Sequence, residues 1–258
     1  MVGKMKIKNW KKAAHKFADE WKDKKDVEII YVTGSYVSKS PGKYSDIDVY
    51  VIVDKDNFNP IKGLRKIDGF IIEYQIVSFK GAMDFLGSKI SNNDTSDARG
   101  IMFMNVLYDK SNKSKILKNK ATRVIKKSFS KPSQKEIENL KYELWNLLYS
   151  LKNAYESKSP MFRHVYSLLL FRLIRNYGRF AGAESFSFSK YYMYLTSKKF
   201  RKGYHLSVHP DKLFSKIAIS CIEEKSKKRM LASMNKLVNY VLEKMGSFDE
   251  AKWEIKRY

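Results

Sequence analysis

Thr33-Gly34-Ser35-Tyr36-Val37-Ser38-Lys39-Ser40-Pro41-Gly42-Lys43-Tyr44-Ser45-Asp46-Ile47-Asp48 is the stretch that decides how the first half of the chain folds. Before it runs Val27 to Val32, nearly all apolar, as a strand covered on both faces must be. After it, Asp48-Val49-Tyr50-Val51-Ile52-Val53 reads as a second strand, and Phe70-Ile71-Ile72-Glu73-Tyr74-Gln75-Ile76-Val77 as a third. Between the first two, a Gly-Ser pair opens a turn. Gly34 has no Cβ to keep a bulky anion from the backbone, and Ser35 offers it a hydroxyl and an N–H. The chain then wanders through a polar loop and enters the next strand through Asp-Ile-Asp.

Residues two apart on a strand share a face, so the spacing predicts that Asp46 and Asp48 present two carboxylates together. Like charges that close repel unless a cation lies between them. A hard divalent ion such as Mg²⁺ suits oxygen donors of this kind and also binds phosphate oxygens, and a pair of such ions can clamp both oxygens of an in-line displacement. Glu73 sits in an otherwise buried-looking strand, where an unpaired carboxylate is costly. A metal or a substrate proton resolves that cost, which makes Glu73 the expected third ligand or the base. An ion pair with one of the many lysines is the plainer alternative. In the loop, Lys39 and Lys43 are placed to meet phosphate, with Lys43 the candidate carried forward; simple solvation of the loop explains them as well.

Gly-Ser, a short loop, Asp-x-Asp on a strand and a later acid on another strand resemble the polymerase-beta-like nucleotidyltransferase superfamily. Antibiotic nucleotidyltransferases, CCA-adding enzymes and the small nucleotidyltransferases of toxin–antitoxin pairs belong to it. The resemblance runs over about residues 25–125 and takes in Val106-Leu107-Tyr108-Asp109-Lys110 beyond the third strand. It implies that Gly34 and Ser35 touch the triphosphate, that Asp46 and Asp48 ligate metal, and that Glu73 is the third carboxylate. It also implies two Mg²⁺ ions and a nucleoside triphosphate, with ATP the expected donor. The reaction implied is transfer of a nucleotide to an acceptor hydroxyl with release of pyrophosphate.

The rest of the sequence frames this reading. A change of regime near Ser128-Phe129-Ser130-Lys131-Pro132 predicts a catalytic domain over residues 1–128 and a helical bundle over 129–258, an α+β fold overall. Before the junction, Trp10, Ala13, Ala14, Phe17 and Trp21 have helical spacing. After it, Ser133-Gln134-Lys135-Glu136 is a capping box. Ile137, Leu140, Leu144, Leu147, Leu151 and Tyr155 form one apolar stripe, Pro160 is placed to open the next helix, and Gly246 to close the last. Cys221, the single cysteine, reads as a small buried hydrophobe.

The formal charge of +24 is unevenly distributed: nine Lys/Arg and no acid lie between Ser111 and Lys135, and ten Lys/Arg against Glu184 alone between Ser157 and Pro210. One-signed clusters attract polyanions, ATP or RNA among them. A cationic, antibiotic-like drug is an awkward acceptor for such a chain, although a local acidic cleft could receive one; RNA suits the charge better, and a small hydroxylated metabolite or a protein hydroxyl stays open. A catalytically idle RNA-binding module, or a toxin–antitoxin component on the same fold, is the rival reading. Phe186 to Tyr194 is aromatic enough to stack bases, though core packing accounts for it equally well.

Other chemistries find no support. The histidines His15, His164, His205 and His209 lack metal-ligand spacing, and no Walker loop or dinucleotide fingerprint occurs. There is no secretion-type apolar stretch at the N-terminus, and Val165 to Ile174 is too short to span a bilayer. A cytoplasmic protein without membrane association is expected, with the oligomeric state open between monomer and homodimer.

Overall fold

The computed structural model describes residues 2–185 and 187–254. Met1 and Phe186, the latter part of the aromatic stretch noted above, lie outside the described residues. In chain order the elements are α1 (Val2–Asp19), β1 (Val27–Thr33), α2 (Gly34–Val37), β2 (Ile47–Val53), β3 (Ile61–Ile67), β4 (Phe70–Ser78), α3 (Phe79–Phe85), α4 (Ser96–Met102), β5 (Asn105–Asp109) and α5 (Lys113–Ile125). Six helices follow: α6 (Gln134–Glu156), α7 (Phe162–Phe180), α8 (Phe188–Thr196), α9 (Lys198–Tyr204), α10 (Lys212–Glu223) and α11 (Lys227–Lys244). No helix among the described residues is long and apolar enough to cross a membrane.

Two compact units emerge. The first comprises residues 1–90, 95–128 and 199–206; the second comprises 91–94, 129–198 and 207–258.

The first unit is built on a mixed five-stranded sheet in the order β3-β4-β2-β1-β5. Only β2 and β4 run parallel; the remaining neighbours are antiparallel. β1 and most of β2 are apolar on both sides because both faces of the sheet are covered there, whereas β4 buries Phe70, Ile72 and Ile76 and leaves the face of Glu73 and Gln75 partly open. On one face Ile30, Val32, Val49, Val51, Ile72 and Ile76 pack with Trp10, Ala13, Ala14 and Phe17 of α1. On the other, Ile29, Tyr31 and Ile52 pack with Ala98 and Ile101 of α4 and Leu117, Ala121 and Val124 of α5. The fold class is therefore α+β, with the helices α6 to α11 filling most of the second half of the chain.

Helix α9 lies in this unit although it comes late in the chain. A Cβ on Gly203 would stand 2.7 Å from the Ser38 carbonyl oxygen, so the two backbones meet at a distance only glycine allows. The Arg99 guanidinium donates to the His205 carbonyl, and the His205 ring stacks on Phe103 with centroids 3.4 Å apart.

The second unit is helical. The capping box forms as the sequence predicts: the Ser133 hydroxyl oxygen accepts from the Glu136 N–H, and the Glu136 carboxylate accepts from the Ser133 N–H. Pro160 does not open α7; it sits in the turn before Met161, the helix N-cap. Helix α11 ends at Lys244, with Gly246 two residues on. Cys221 is buried on α10, and burial pushes its thiol up to about 11. At the start of α10, Asp211 accepts from the Phe214 N–H and from the hydroxyls of Tyr177 and Tyr240.

His209 is buried beside this network; its Nδ1 accepts from the Asp211 N–H at 3.1 Å, and its Nε2 has no hydrogen-bond partner among the described residues. Burial lowers its pKa, which favours the neutral ring in the folded state. The unfolded chain then takes up a proton first as pH falls through the ordinary value of about 6.5, so stability is full above that pH and declines below it. The melting temperature is expected to drop between pH 7 and pH 5. His209→Asn, whose Oδ1 can replace Nδ1 as acceptor, should flatten that slope in a thermal melt. Glu136, held down at about 2 chiefly by the Ser133 N–H, loses its contribution as pH falls from its ordinary 4.5 through that value, below the window of this test.

Candidate functional site

The Gly34-Ser35 pair sits where β1 ends. Gly34 has φ +76°, and a Cβ built on it would lie 1.9 Å from Asp48 Oδ2. The turn and the carboxylate are thus packed directly on each other. Ser35 is buried at the start of α2, and its carbonyl accepts from the Ser40 N–H and the Ser38 hydroxyl. The loop is tied further by the Gly42 N–H donating to the Ser45 hydroxyl at 2.8 Å. Lys43 is exposed on that loop, with its ammonium 5.3 Å from the centre of the Tyr44 ring.

Asp48 lies on β2 and pairs in register with Thr33 of β1 on one side and Glu73 of β4 on the other. In-register neighbours on adjacent strands share a face, so Asp48 and Glu73 stand side by side. Asp46 differs from the expectation in one respect: β2 begins at Ile47, so this residue stands just before the strand rather than on it. Its field still reaches the site, since it adds to the burial that raises the Tyr36 phenol and to the charges around Lys62.

Glu73 also departs from its sequence reading. It is neither deeply buried nor unpaired: its side chain is 26% exposed, and Oε1 lies 2.9 Å from the ammonium of Lys62 on β3. That contact is the main reason the Lys62 pKa is raised, with the Glu73 charge next and the charges of Asp46 and Asp48 adding to it. Two further residues border the same face. Tyr50, two residues beyond Asp48, stacks on Tyr31 at 5.1 Å, and its phenol is pushed up to about 12 by burial and by the charges of Asp97, Asp48 and Glu73. Asp97 of α4 pairs with Lys89 at 2.9 Å.

The carboxylates are hard oxygen donors on adjacent chain segments, and an ammonium already stands among their fields. In chemistry and register they fit a divalent cation. Their side chains are not drawn into one cage, however: among the described residues no three His, Cys, Asp or Glu are gathered closely enough to hold a metal ion. Lys62, Tyr50 and Asp97 are the residues that sequence reasoning missed. Tyr50 was accessible from alternation along β2; Lys62 and Asp97 carry no such signal.

A family model described as a nucleotidyltransferase domain matches residues 14–95, a span that includes β1, the Gly34-Ser35 turn, Asp46, Asp48 and Glu73. The match is to the family's model over those residues, about a third of the chain. No curated protein matches the chain. Among solved structures, a nucleotidyltransferase-like protein from Exiguobacterium sibiricum is similar over 90% of this chain and 74% of its own, at 11% identity and a TM-score of 0.45. The matched span contains Gly34, Ser35, Lys43, Asp46, Asp48 and Glu73, every candidate site residue taken from the sequence.

Proposed function

We propose that the chain transfers a nucleoside monophosphate from a nucleoside triphosphate, with ATP the expected donor, to an acceptor hydroxyl. The observation that carries this reading is the contact of Gly34 with the Asp48 carboxylate, together with the in-register pairing of Asp48 and Glu73. It puts an anion-accepting turn and two acids at one spot, as transfer from a triphosphate requires.

Gly34, Ser35 and Lys43 receive the triphosphate. Asp46, Asp48 and Glu73 are the residues that would hold Mg²⁺, which when bound neutralises triphosphate charge and lowers the pKa of the acceptor hydroxyl. The acceptor oxygen attacks the α-phosphorus, a new P–O bond forms, and the bond to the pyrophosphate oxygen breaks. The proton leaves the hydroxyl for the Glu73 carboxylate or for water. The protein contributes position and charge. We assign this role to a domain over residues 1–128, with a helical domain over 129–258 that carries none of these acids.

The acceptor is a small hydroxylated molecule or RNA, and the charge favours RNA. Helix α5 buries Leu117, Ala121 and Val124 and leaves Lys115, Arg123 and, at its C-cap, Lys126 exposed. No acid occurs between Ser111 and Lys135 to offset them. The deciding experiment is incubation with labelled nucleoside triphosphates, Mg²⁺ and either cell RNA or a small-molecule pool, with mass analysis of the labelled product. RNA labelling should fall steeply with salt, each phosphate contact adding about −0.7 to the log–log slope. Label appearing only on small molecules would remove RNA as the acceptor. Absence of label in both pools, with RNA still bound, would favour the idle RNA-binding module.

A further inference from the structure

Lys62 is the least expected member of the site. Strand β3 is the edge of the sheet, paired only with β4, and Lys62 lies in register with Gln75. Gln75 is two residues from Glu73, so Lys62 projects on the face that carries the acids. Its ammonium reaches back diagonally to Glu73 Oε1 at 2.9 Å while the side chain remains 61% exposed. The charges of Asp46 and Asp48 act on it as well. The ammonium is therefore paired with one carboxylate of the site and lies within the field of the other two.

We propose that Lys62 is a resident counter-ion that holds the carboxylate site in its metal-free form and is displaced from Glu73 when a divalent ion enters. The proposal rests on the carboxylate reading given above. Two physical arguments support it. Leaving the in-register Asp48 and Glu73 side by side without a cation costs repulsion, which a mobile ammonium relieves at the least structural expense. An ion pair this exposed is weak, so a doubly charged ion with several ligands outcompetes it. The edge position matters too: with no strand beyond β3, the long side chain can swing into solvent without disturbing packing.

Removing the competing ammonium should tighten divalent binding. An exposed ion pair of ordinary strength corresponds to about a two- to fivefold gain in affinity. The test is Mn²⁺ titration of the full chain, without nucleotide, by calorimetry or by the electron paramagnetic resonance signal of free Mn²⁺. Lys62→Met and Lys62→Gln should bind more tightly than wild type, and Lys62→Arg should not. Lys12→Met, which removes one exposed charge from α1 on the opposite side of the sheet, controls for net charge. Thermal melts show whether each variant is folded; two replacements at an exposed edge position protect the test against failure of either. If Mn²⁺ binding depends on Asp48 but both neutral variants bind as wild type or more weakly, the Lys62 proposal is overturned and the proposed function stands. If wild type binds no Mn²⁺, or binds it equally well after Asp48→Asn, both fall.

Discussion

Asp48→Asn is expected to reduce nucleotide transfer by at least about a hundredfold to a thousandfold while the melting temperature stays close to that of wild type. The magnitude follows from removing one preorganised charged group at the reacting centre. The fold should survive because Asn keeps the volume of Asp, and the strand pairings of residue 48 with Thr33 and Glu73 are made by the backbone. Asp46→Asn should act in the same direction. Its position before β2 rather than on it leaves its side chain less fixed by the sheet, so the loss should be smaller than at Asp48. Steady-state kinetics with labelled triphosphate, paired with thermal melts, separates loss of chemistry from loss of fold. Wild-type turnover by Asp48→Asn would remove this residue from the site altogether.

The features that were readable in the sequence were those with strong local physics. β1 and β2 announce themselves because the middle of a covered sheet demands apolar residues on both faces, and β4 by its run of β-formers with Phe70, Ile72 and Ile76 buried. The capping box at Ser133 was equally legible, since its two hydrogen bonds lie within four residues. β3 was not. Ile61-Lys62-Gly63-Leu64-Arg65-Lys66-Ile67 has three basic residues, one glycine and no buried position, as suits an edge strand protected from further pairing. Without β3 the sequence offers a lysine partner for Glu73 only as an alternative and does not say which; Lys62 comes from that strand. The same limit applies to α9. Nothing in Lys198 to Tyr204 says that it will settle against Ser38, since that contact depends on tertiary placement and a single glycine.

Gly34→Ala tests the contact on which the site turns, and it should impair both stability and activity. A φ of +76° is open to glycine but costs an L-residue about 1–2 kcal/mol. For a chain of this size each kcal/mol corresponds to roughly 2–4 °C, so backbone strain alone should lower the melting temperature by about 2–8 °C. The methyl group adds a second effect. Its position 1.9 Å from Asp48 Oδ2 cannot be occupied, so the carboxylate must move aside. That end of a short side chain moves more readily than the sheet beneath it, so the protein should still fold. The displaced carboxylate is the group held to carry the chemistry, and a shift of about 1 Å at such a centre can cost around a hundredfold in rate. The expected variant is therefore a folded protein, moderately less stable and nearly inactive, whose divalent-ion affinity is also weakened. Gly34→Ser should be no better, because the obstacle is the Cβ itself. A Gly34→Ala protein that melts several degrees lower but turns over normally would mean that the Asp48 carboxylate is not needed where the fold puts it.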